Sequence, residues 1–187
     1  MTSPDGGLRS ALVVGSGLIG TSVALALRRH GVDVHLTDRD PVAARRAADL
    51  GAGRVDPATE QVDLAVVAVS PSSTAAVVAG LVAGNSAATV VDTAGVKAGV
   101  LREVATAIGP TPHFVGTHPM AGRERSGPGS ARADLFEGRP WVLTPGDADE
   151  RSLARARQLV ALCGGVVVEM DAAAHDAAVA LVSHVPQ

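Results

Sequence analysis

Residues 12–20 read LVVGSGLIG, and an Ala-rich helical pattern follows them from Thr21 to Arg29. An apolar run, a glycine-rich turn and a helix in this order are typical of the first unit of a dinucleotide-binding sheet. The helix N-terminus adds N–H donors and a positive dipole end for phosphate groups. The alternative is a turn whose glycines only allow close packing. The stretch predicts a dinucleotide site formed by Gly15, Ser16, Gly17, Leu18, Ile19 and Gly20.

The second strand-like run, Val32 to Thr37, ends at Asp38, about 20 residues after the glycine turn. A carboxylate in this place accepts a hydrogen bond from a ribose 2′-hydroxyl and repels a 2′-phosphate, so NAD is favoured over NADP. Arg39 has two interpretations, a solvated loop charge or a partner for a 2′-phosphate. We predict NAD as the cofactor, with Asp38 and Arg39 beside its ribose.

The composition excludes several classes of partner. The 187 residues have a formal net charge of −3, 2% aromatic residues and no tyrosine, so neither a basic surface nor base-stacking platforms for nucleic acid are expected. Cys163 is the only cysteine, which excludes an internal disulfide and a multi-cysteine zinc site. No apolar run has the length of a membrane span or a signal peptide. We expect a soluble, cytoplasmic protein with no metal, no nucleic acid and no membrane partner.

Apolar runs of strand length alternate with helical patterns along most of the chain. The continuous apolar run Leu64–Val69 is typical of a parallel strand buried on both faces. We predict an α/β fold with a doubly wound parallel sheet of Rossmann type, in which ligands bind at the carboxyl edge. The residues that follow the third and fourth strands at this edge are predicted to contact the cofactor: Val69, Ser70 and Thr93.

His118 is the candidate catalytic residue. It follows the strand-like run Phe114–Thr117, at the edge where a nicotinamide would arrive, and neutral imidazole accepts a proton at physiological pH. Hydride leaves a hydroxyl-bearing carbon only when electron density flows in behind it, and removal of the hydroxyl proton provides that density. The alternative is a histidine that ties down a loop. His175 and His184 are nine residues apart, so a straight helix would place them on opposite faces.

Further motifs follow in order: HPMAG at residues 118–122, SG at 126–127, ADLFEG at 133–138, RPW at 139–141, HD at 175–176 and SHVP at 183–186. With the glycine turn they resemble the prephenate dehydrogenase family of tyrosine biosynthesis, which includes arogenate and cyclohexadienyl dehydrogenases. The resemblance implies NAD-dependent oxidative decarboxylation of prephenate to 4-hydroxyphenylpyruvate. It also implies that His118 draws the proton from the ring C4 hydroxyl as the hydride leaves.

The resemblance implies substrate-binding positions as well. Arg123 and Glu124 fall in the loop that approaches the substrate. Ser183 and His184 fall where the helix that closes the substrate pocket begins, and Gln187 stands where some members have a second histidine.

Two departures from the family pattern stand out. Many members have a serine at the position of Gly95, which bonds the catalytic histidine and the substrate; Thr93 or a water would have to replace it. The family also continues with an all-helical dimerisation domain that brings a substrate-binding arginine. We expect a flexible tail at 1–10, the dinucleotide-binding domain at 11–171 and the first helix of a truncated helical domain at 172–187. The full-length family member is expected to be a homodimer.

Alternatives to the prephenate assignment stay open. The substrate is prephenate or arogenate, which differ by a keto or an amino group on the side chain. An NAD-binding module without turnover is the interpretation that Gly95 and the absent helical domain favour. Another hydroxyacid- or imine-converting enzyme of the same fold could use Lys97 as a catalytic lysine, but the ADLFEG motif argues against it.

Overall fold

A computed structural model describes residues 7–121 and 128–183, without the side chains of residues 128, 182 and 183. Within these ranges seven strands form one sheet in the order β2-β1-β3-β4-β5-β6-β7. The strands are β1 (Ser10–Val14), β2 (Asp33–Thr37), β3 (Leu64–Val67), β4 (Val90–Asp92), β5 (Phe114–Pro119), β6 (Pro140–Thr144) and β7 (Val166–Glu169). The helices are α1 (Leu18–Arg29), α2 (Pro41–Asp49), α3 (Pro71–Ala83), α4 (Ala98–Ile108), α5 (Glu150–Leu162) and α6 (Ala172–Ser183), with a short 3-10 helix at Pro128–Ser130.

The predicted Rossmann-type sheet is confirmed. Strands β1 to β5 run parallel to one another. A helix after each strand returns the chain to the edge of the sheet at which the strands begin; between β2 and β3, α2 and a loop do this together. Strand β6 runs antiparallel to β5, and β7 runs parallel to β6. The chain enters β6 from the edge at which β5 ends, so the sheet is mostly parallel rather than wholly so.

The sheet is covered on both faces. Strand β3 shows this directly, since Leu64 and Val66 belong to one apolar cluster while Ala65 and Val67 belong to the other. The first cluster includes side chains of α1, α2 and α5, and the second includes side chains of α3 and α4. Burial on both sides is what the continuous apolar run predicts.

Strand β5 is longer than the sequence predicts. His118 and Pro119 lie inside it, not after it, because β6 extends the ladder: His118 pairs with Val142 and Pro119 with Trp141. The backbone of His118 is therefore held in a sheet, while its side chain still lies near the carboxyl edge. No helix in the described ranges is long and apolar enough to cross a membrane. The predicted domain boundaries stay a prediction.

Candidate active site

The glycine turn has the steric features that the motif requires. Gly15 has φ of +102°, and a Cβ there would collide with the carbonyl oxygen of Ala68. A Cβ at Gly20 would collide with the carbonyl oxygen of Gly15, so α1 packs directly on the turn. A Cβ at Gly17 would meet no described atom within 4 Å. The turn is thus tight at its two ends and open at its middle glycine.

The other residues of the turn differ in their surroundings. Ser16 is fully buried, and its Oγ has no hydrogen-bond partner among the described residues. Leu18 is buried and Ile19 packs against the apolar cluster on the α1 side, so these two offer backbone groups rather than side chains to a ligand. Only Ser16 brings a polar side chain to this turn.

Asp38 joins the end of β2 to the glycine turn. Its Oδ2 accepts the backbone N–H of Ser16 at 2.6 Å, and its Oδ1 accepts that of Asp40 at 2.8 Å. Each carboxylate oxygen can accept more than one hydrogen bond, so a ribose hydroxyl can still donate to Asp38. Arg39 is exposed.

The ends of β3 and β4 lie next to this turn. A Cβ at Gly15 would lie 3.3 Å from Cγ1 of Val69. Ser70 is exposed, and its Oγ bonds the hydroxyls of Ser72 and Ser73. The backbone N–H of Thr93 donates to Val67 O at 3.1 Å. Val69, Ser70 and Thr93 therefore lie at the predicted edge of the sheet, and their contact with a cofactor stays a prediction.

His118 is bonded to a second histidine that we did not predict as a site residue. His118 Nδ1 lies 2.9 Å from His175 Nε2, and the ring centroids are 5.1 Å apart at an interplanar angle of 76°. His175 is 1% exposed, and its Nδ1 lies 2.8 Å from Asp176 Oδ1. The HD pair at 175–176 was a usable signal, but helical periodicity does not tell which neighbour a buried face will contact.

Asp176 in turn caps helix α4. Its Oδ1 accepts the backbone N–H of Lys97 at 2.8 Å, and its Oδ2 accepts that of Ala98 at 2.9 Å. Burial raises the pKa of the Asp176 carboxyl, but hydrogen bonds from the Lys97 backbone, the His175 ring and the Ala98 backbone outweigh it and hold that pKa below its usual value. The carboxylate also faces the positive end of the α4 dipole. A continuous line of contacts thus runs from α4 to His118.

A buried ion pair lies next to β5, the strand that contains His118. Lys97 is fully buried, with Nζ bonded to Asp92 Oδ2 and, at 2.6 Å, to the backbone oxygen of Thr117. Asp92 also accepts the backbone N–H groups of Thr117 and Ala94, each at 3.0 Å. Burial lowers the pKa of the Lys97 ammonium, although the Asp92 carboxylate opposes that shift. These contacts favour a structural role for Lys97 over the catalytic lysine of the alternative enzyme classes.

Gly95 lies beside the ring of His118. A Cβ at Gly95 would be 3.5 Å from His118 Nε2 and 3.7 Å from Cε1. These are ordinary contact distances, so position 95 has room for a small side chain next to the nitrogen that faces away from His175.

The ADLFEG motif supports β5 and β6. Phe136 is fully buried, and its ring lies 4.8 Å from that of Trp141. The Trp141 indole N–H donates to Oγ1 of Thr117, the residue before His118, at 3.0 Å. The motif thus packs the strand pair that bears His118.

Some predicted substrate positions lie outside the described residues: Arg123, Glu124, His184 and Gln187. For Ser183 the structure describes only the backbone, at the end of α6. These substrate-binding roles stay predictions. Within 7–121 and 128–183, no cluster of three or more His, Cys, Asp or Glu side chains could hold a metal ion.

Comparisons with known proteins extend over nearly the whole chain. Residues 23–169 match the family described as prephenate dehydrogenase, nucleotide-binding domain. The probable prephenate dehydrogenase NovF of Streptomyces niveus is 49% identical over 181 residues, which cover 96% of this chain and 50% of that protein. The chain spans 50% to 62% of the length of the curated relatives that it matches.

Two solved structures are similar as well. Prephenate dehydrogenase from Aquifex aeolicus, in complex with hydroxyphenyl propionate and NAD+, superposes with a TM-score of 0.83 at 30% identity, covering 95% of this chain and 65% of that one. Synechocystis arogenate dehydrogenase superposes with a TM-score of 0.81 at 28% identity, covering 94% of this chain and 64% of that one. The resemblance seen in the sequence and the prediction of a nucleotide cofactor are confirmed. The chain belongs to the prephenate dehydrogenase family, of which it contains the nucleotide-binding domain.

Proposed function

We propose that this chain is the cofactor-binding and proton-accepting part of an NAD-dependent dehydrogenase that converts prephenate to 4-hydroxyphenylpyruvate. One observation is central to the proposal: His118 lies near the carboxyl edge of the sheet, with its Nδ1 bonded to a buried histidine and its Nε2 beside Gly95. Family membership supports the reaction class.

The residues of the glycine turn fit NAD. A pyrophosphate can approach the backbone at Gly17, where no described atom obstructs it, and the N–H groups at the start of α1 point toward that place. The buried hydroxyl of Ser16 supplies a donor that the described protein groups leave unsatisfied. Asp38 would accept from the ribose. The relative from Aquifex aeolicus is solved with NAD+. When bound, NAD supplies the acceptor for a hydride.

His118 would act as general base toward the substrate. Its Nε2 takes the proton of the ring C4 hydroxyl while the C4 hydride departs with its electron pair, which leaves a C4 carbonyl. Cleavage of the C1–carboxylate bond then releases carbon dioxide and moves its electron pair into the ring. The resulting phenolate oxygen recovers the proton from His118, so the residue returns to its starting state. Aromatisation makes this sequence strongly favourable.

Arogenate is the alternative substrate, and the Synechocystis relative is an arogenate dehydrogenase. A module that binds NAD without turnover is the second candidate function. Gly95, together with the 50% coverage of the Streptomyces relative, favours it, because residues outside this chain would complete the substrate site. From the resemblance we also propose that the full-length protein is a homodimer, which sedimentation of that protein tests.

The test is NADH formation from NAD and prephenate, followed by absorbance, and repeated with arogenate. We compare the chain with His118→Asn and with His30→Asn, a control that changes an exposed histidine at the end of α1. Loss of a general base lowers the rate about 10²- to 10⁴-fold, so we expect His118→Asn to lose at least about 100-fold and the control to keep its rate. Turnover that persists in His118→Asn would contradict the role of His118. Saturable NAD binding without turnover in every variant would favour the binding module.

A further inference from the structure

We propose that His175 and Asp176 form a positioning pair that fixes the tautomer of His118, so that Nε2 is the nitrogen that accepts the proton. The proposal rests on the proposed function for its kinetic consequence, but the tautomer itself is a property of the folded chain. The tautomer of His118 follows from the hydrogen bonds that link α4 to Asp176, Asp176 to His175, and His175 to His118.

Asp176 accepts two backbone N–H groups at the start of α4, from Lys97 at 2.8 Å and Ala98 at 2.9 Å. A carboxylate in this place is stabilised by both donors and by the helix dipole. The ionised group can only accept hydrogen bonds. The Nδ1 of His175, 2.8 Å from Asp176 Oδ1, must therefore be the nitrogen that bears hydrogen.

The tautomer of His175 in turn constrains that of His118. In a neutral imidazole one nitrogen donates and the other accepts, so the Nε2 of His175 has the lone pair. His118 Nδ1, 2.9 Å away, must then donate its hydrogen to His175. The lone pair of His118 is consequently on Nε2, the nitrogen that lies beside Gly95.

Proton uptake by His118 changes its bond to His175. When His118 accepts a proton it becomes an imidazolium, and its bond to His175 becomes a charge-assisted hydrogen bond. The negative charge of Asp176 stabilises that cation through His175, which is 1% exposed and so poorly screened. The nearby charges of Lys97 and Asp92 are both fully buried and bonded to each other, so they leave the direction of this effect unchanged. The pair would thus both orient the base and favour its protonated form.

The experiment has a spectroscopic and a kinetic part. Imidazole ¹⁵N shifts, assigned with His118→Asn and His175→Leu, report which nitrogen of each ring bears hydrogen. We expect hydrogen on Nδ1 and a lone pair on Nε2 in both rings. Hydrogen on Nε2 of His118 in the wild-type chain overturns the proposal.

The kinetic part compares three variants. His175→Leu removes the acceptor, and we expect kcat to fall at least about 10-fold with the Kd for NAD unchanged. His175→Gln can return an amide oxygen to that place and should recover part of kcat. Asp149→Asn is the control, because Asp149 accepts the Ser152 N–H at 2.7 Å and pairs with His113 at 3.2 Å, contacts that involve neither His118 nor His175. A kcat for His175→Leu equal to that of the control overturns the proposal. If the chain shows no turnover at all, the proposed function fails, and the tautomers alone decide on the positioning pair.

Discussion

Replacing Lys97 by methionine tests the buried ion pair behind the strand that bears His118. Methionine keeps an unbranched apolar side chain of similar length, so the change removes chiefly the ammonium group. Both Lys97 and Asp92 are 0% exposed, and Asp92 would lose its cationic partner without gaining access to water. Removing one member of such a pair costs about 3–5 kcal/mol, because the remaining charge stays buried.

The structure narrows this range. Asp92 would keep the backbone donors Thr117 and Ala94, so its carboxylate would still have hydrogen bonds. The Thr117 oxygen would lose the lysine as a donor, which costs about 1 kcal/mol. We expect a loss of about 3–4 kcal/mol in the free energy of unfolding. For a domain of this size that corresponds to a fall in Tm of about 6–16 °C.

The assay is thermal and denaturant unfolding of the chain, of Lys97→Met and of Arg102→Met, a control that removes an exposed cation from the same helix. A double variant, Lys97→Met with Asp92→Asn, removes both charges and should lose less than the sum of the single variants. A fall in Tm of less than about 2 °C for Lys97→Met, relative to the control, would refute the buried-pair argument.

Further predictions concern the glycines and Asp176. Gly17→Ala should leave the Tm within a few degrees but weaken NAD binding at least about 10-fold, which titration calorimetry measures. Gly20→Ala should prevent stable folding, because its Cβ would collide with the carbonyl oxygen of Gly15, and circular dichroism would show the loss of structure. Gly95→Ser should fold normally and raise kcat/KM for prephenate about 2- to 12-fold, the worth of one hydrogen bond, in the NADH assay. The pKa of Asp176 is lowered by folding, so its contribution to stability is full well above about pH 4 and is lost as the pH falls through the folded pKa. The difference in Tm between the chain and Asp176→Asn should therefore shrink in acid.

The sequence was sufficient to predict the fold and a nucleotide cofactor. A short apolar run followed by a glycine turn has few structural solutions, and Asp38 at the end of the next strand is a local feature too. The antiparallel direction of β6 could not be predicted from the sequence. It depends on where the chain leaves β5 and enters β6, and no periodicity within either strand encodes that.

The histidine pair could not be predicted from spacing. His118 and His175 are 57 residues apart in sequence and meet only because α6 packs near α4. The burial of Lys97 beside the carboxylate at the end of β4 could not be predicted either, because a lysine in the sequence does not indicate its partner. Both misses concern polar side chains whose partners are set by tertiary packing.

The carboxylates of Asp92 and Asp176 both hold the segment that connects β4 to α4, from Asp92 to Ala98. Asp92 holds it from inside the sheet through Ala94 N and Lys97 Nζ, while Asp176 holds its far end through the N–H groups of Lys97 and Ala98. Gly95 lies between these two anchors and faces the ring of His118. The position of Gly95 beside Nε2 therefore depends in part on these ion-pair and capping contacts. Weakening either anchor should therefore shift Gly95 relative to the His118 ring, so we expect Lys97→Met to lower kcat as well as stability. Hydrogen exchange of the Lys97 and Ala98 amides, which both donate to Asp176, would report the loosening of this connection, and the NADH assay would report the change in kcat.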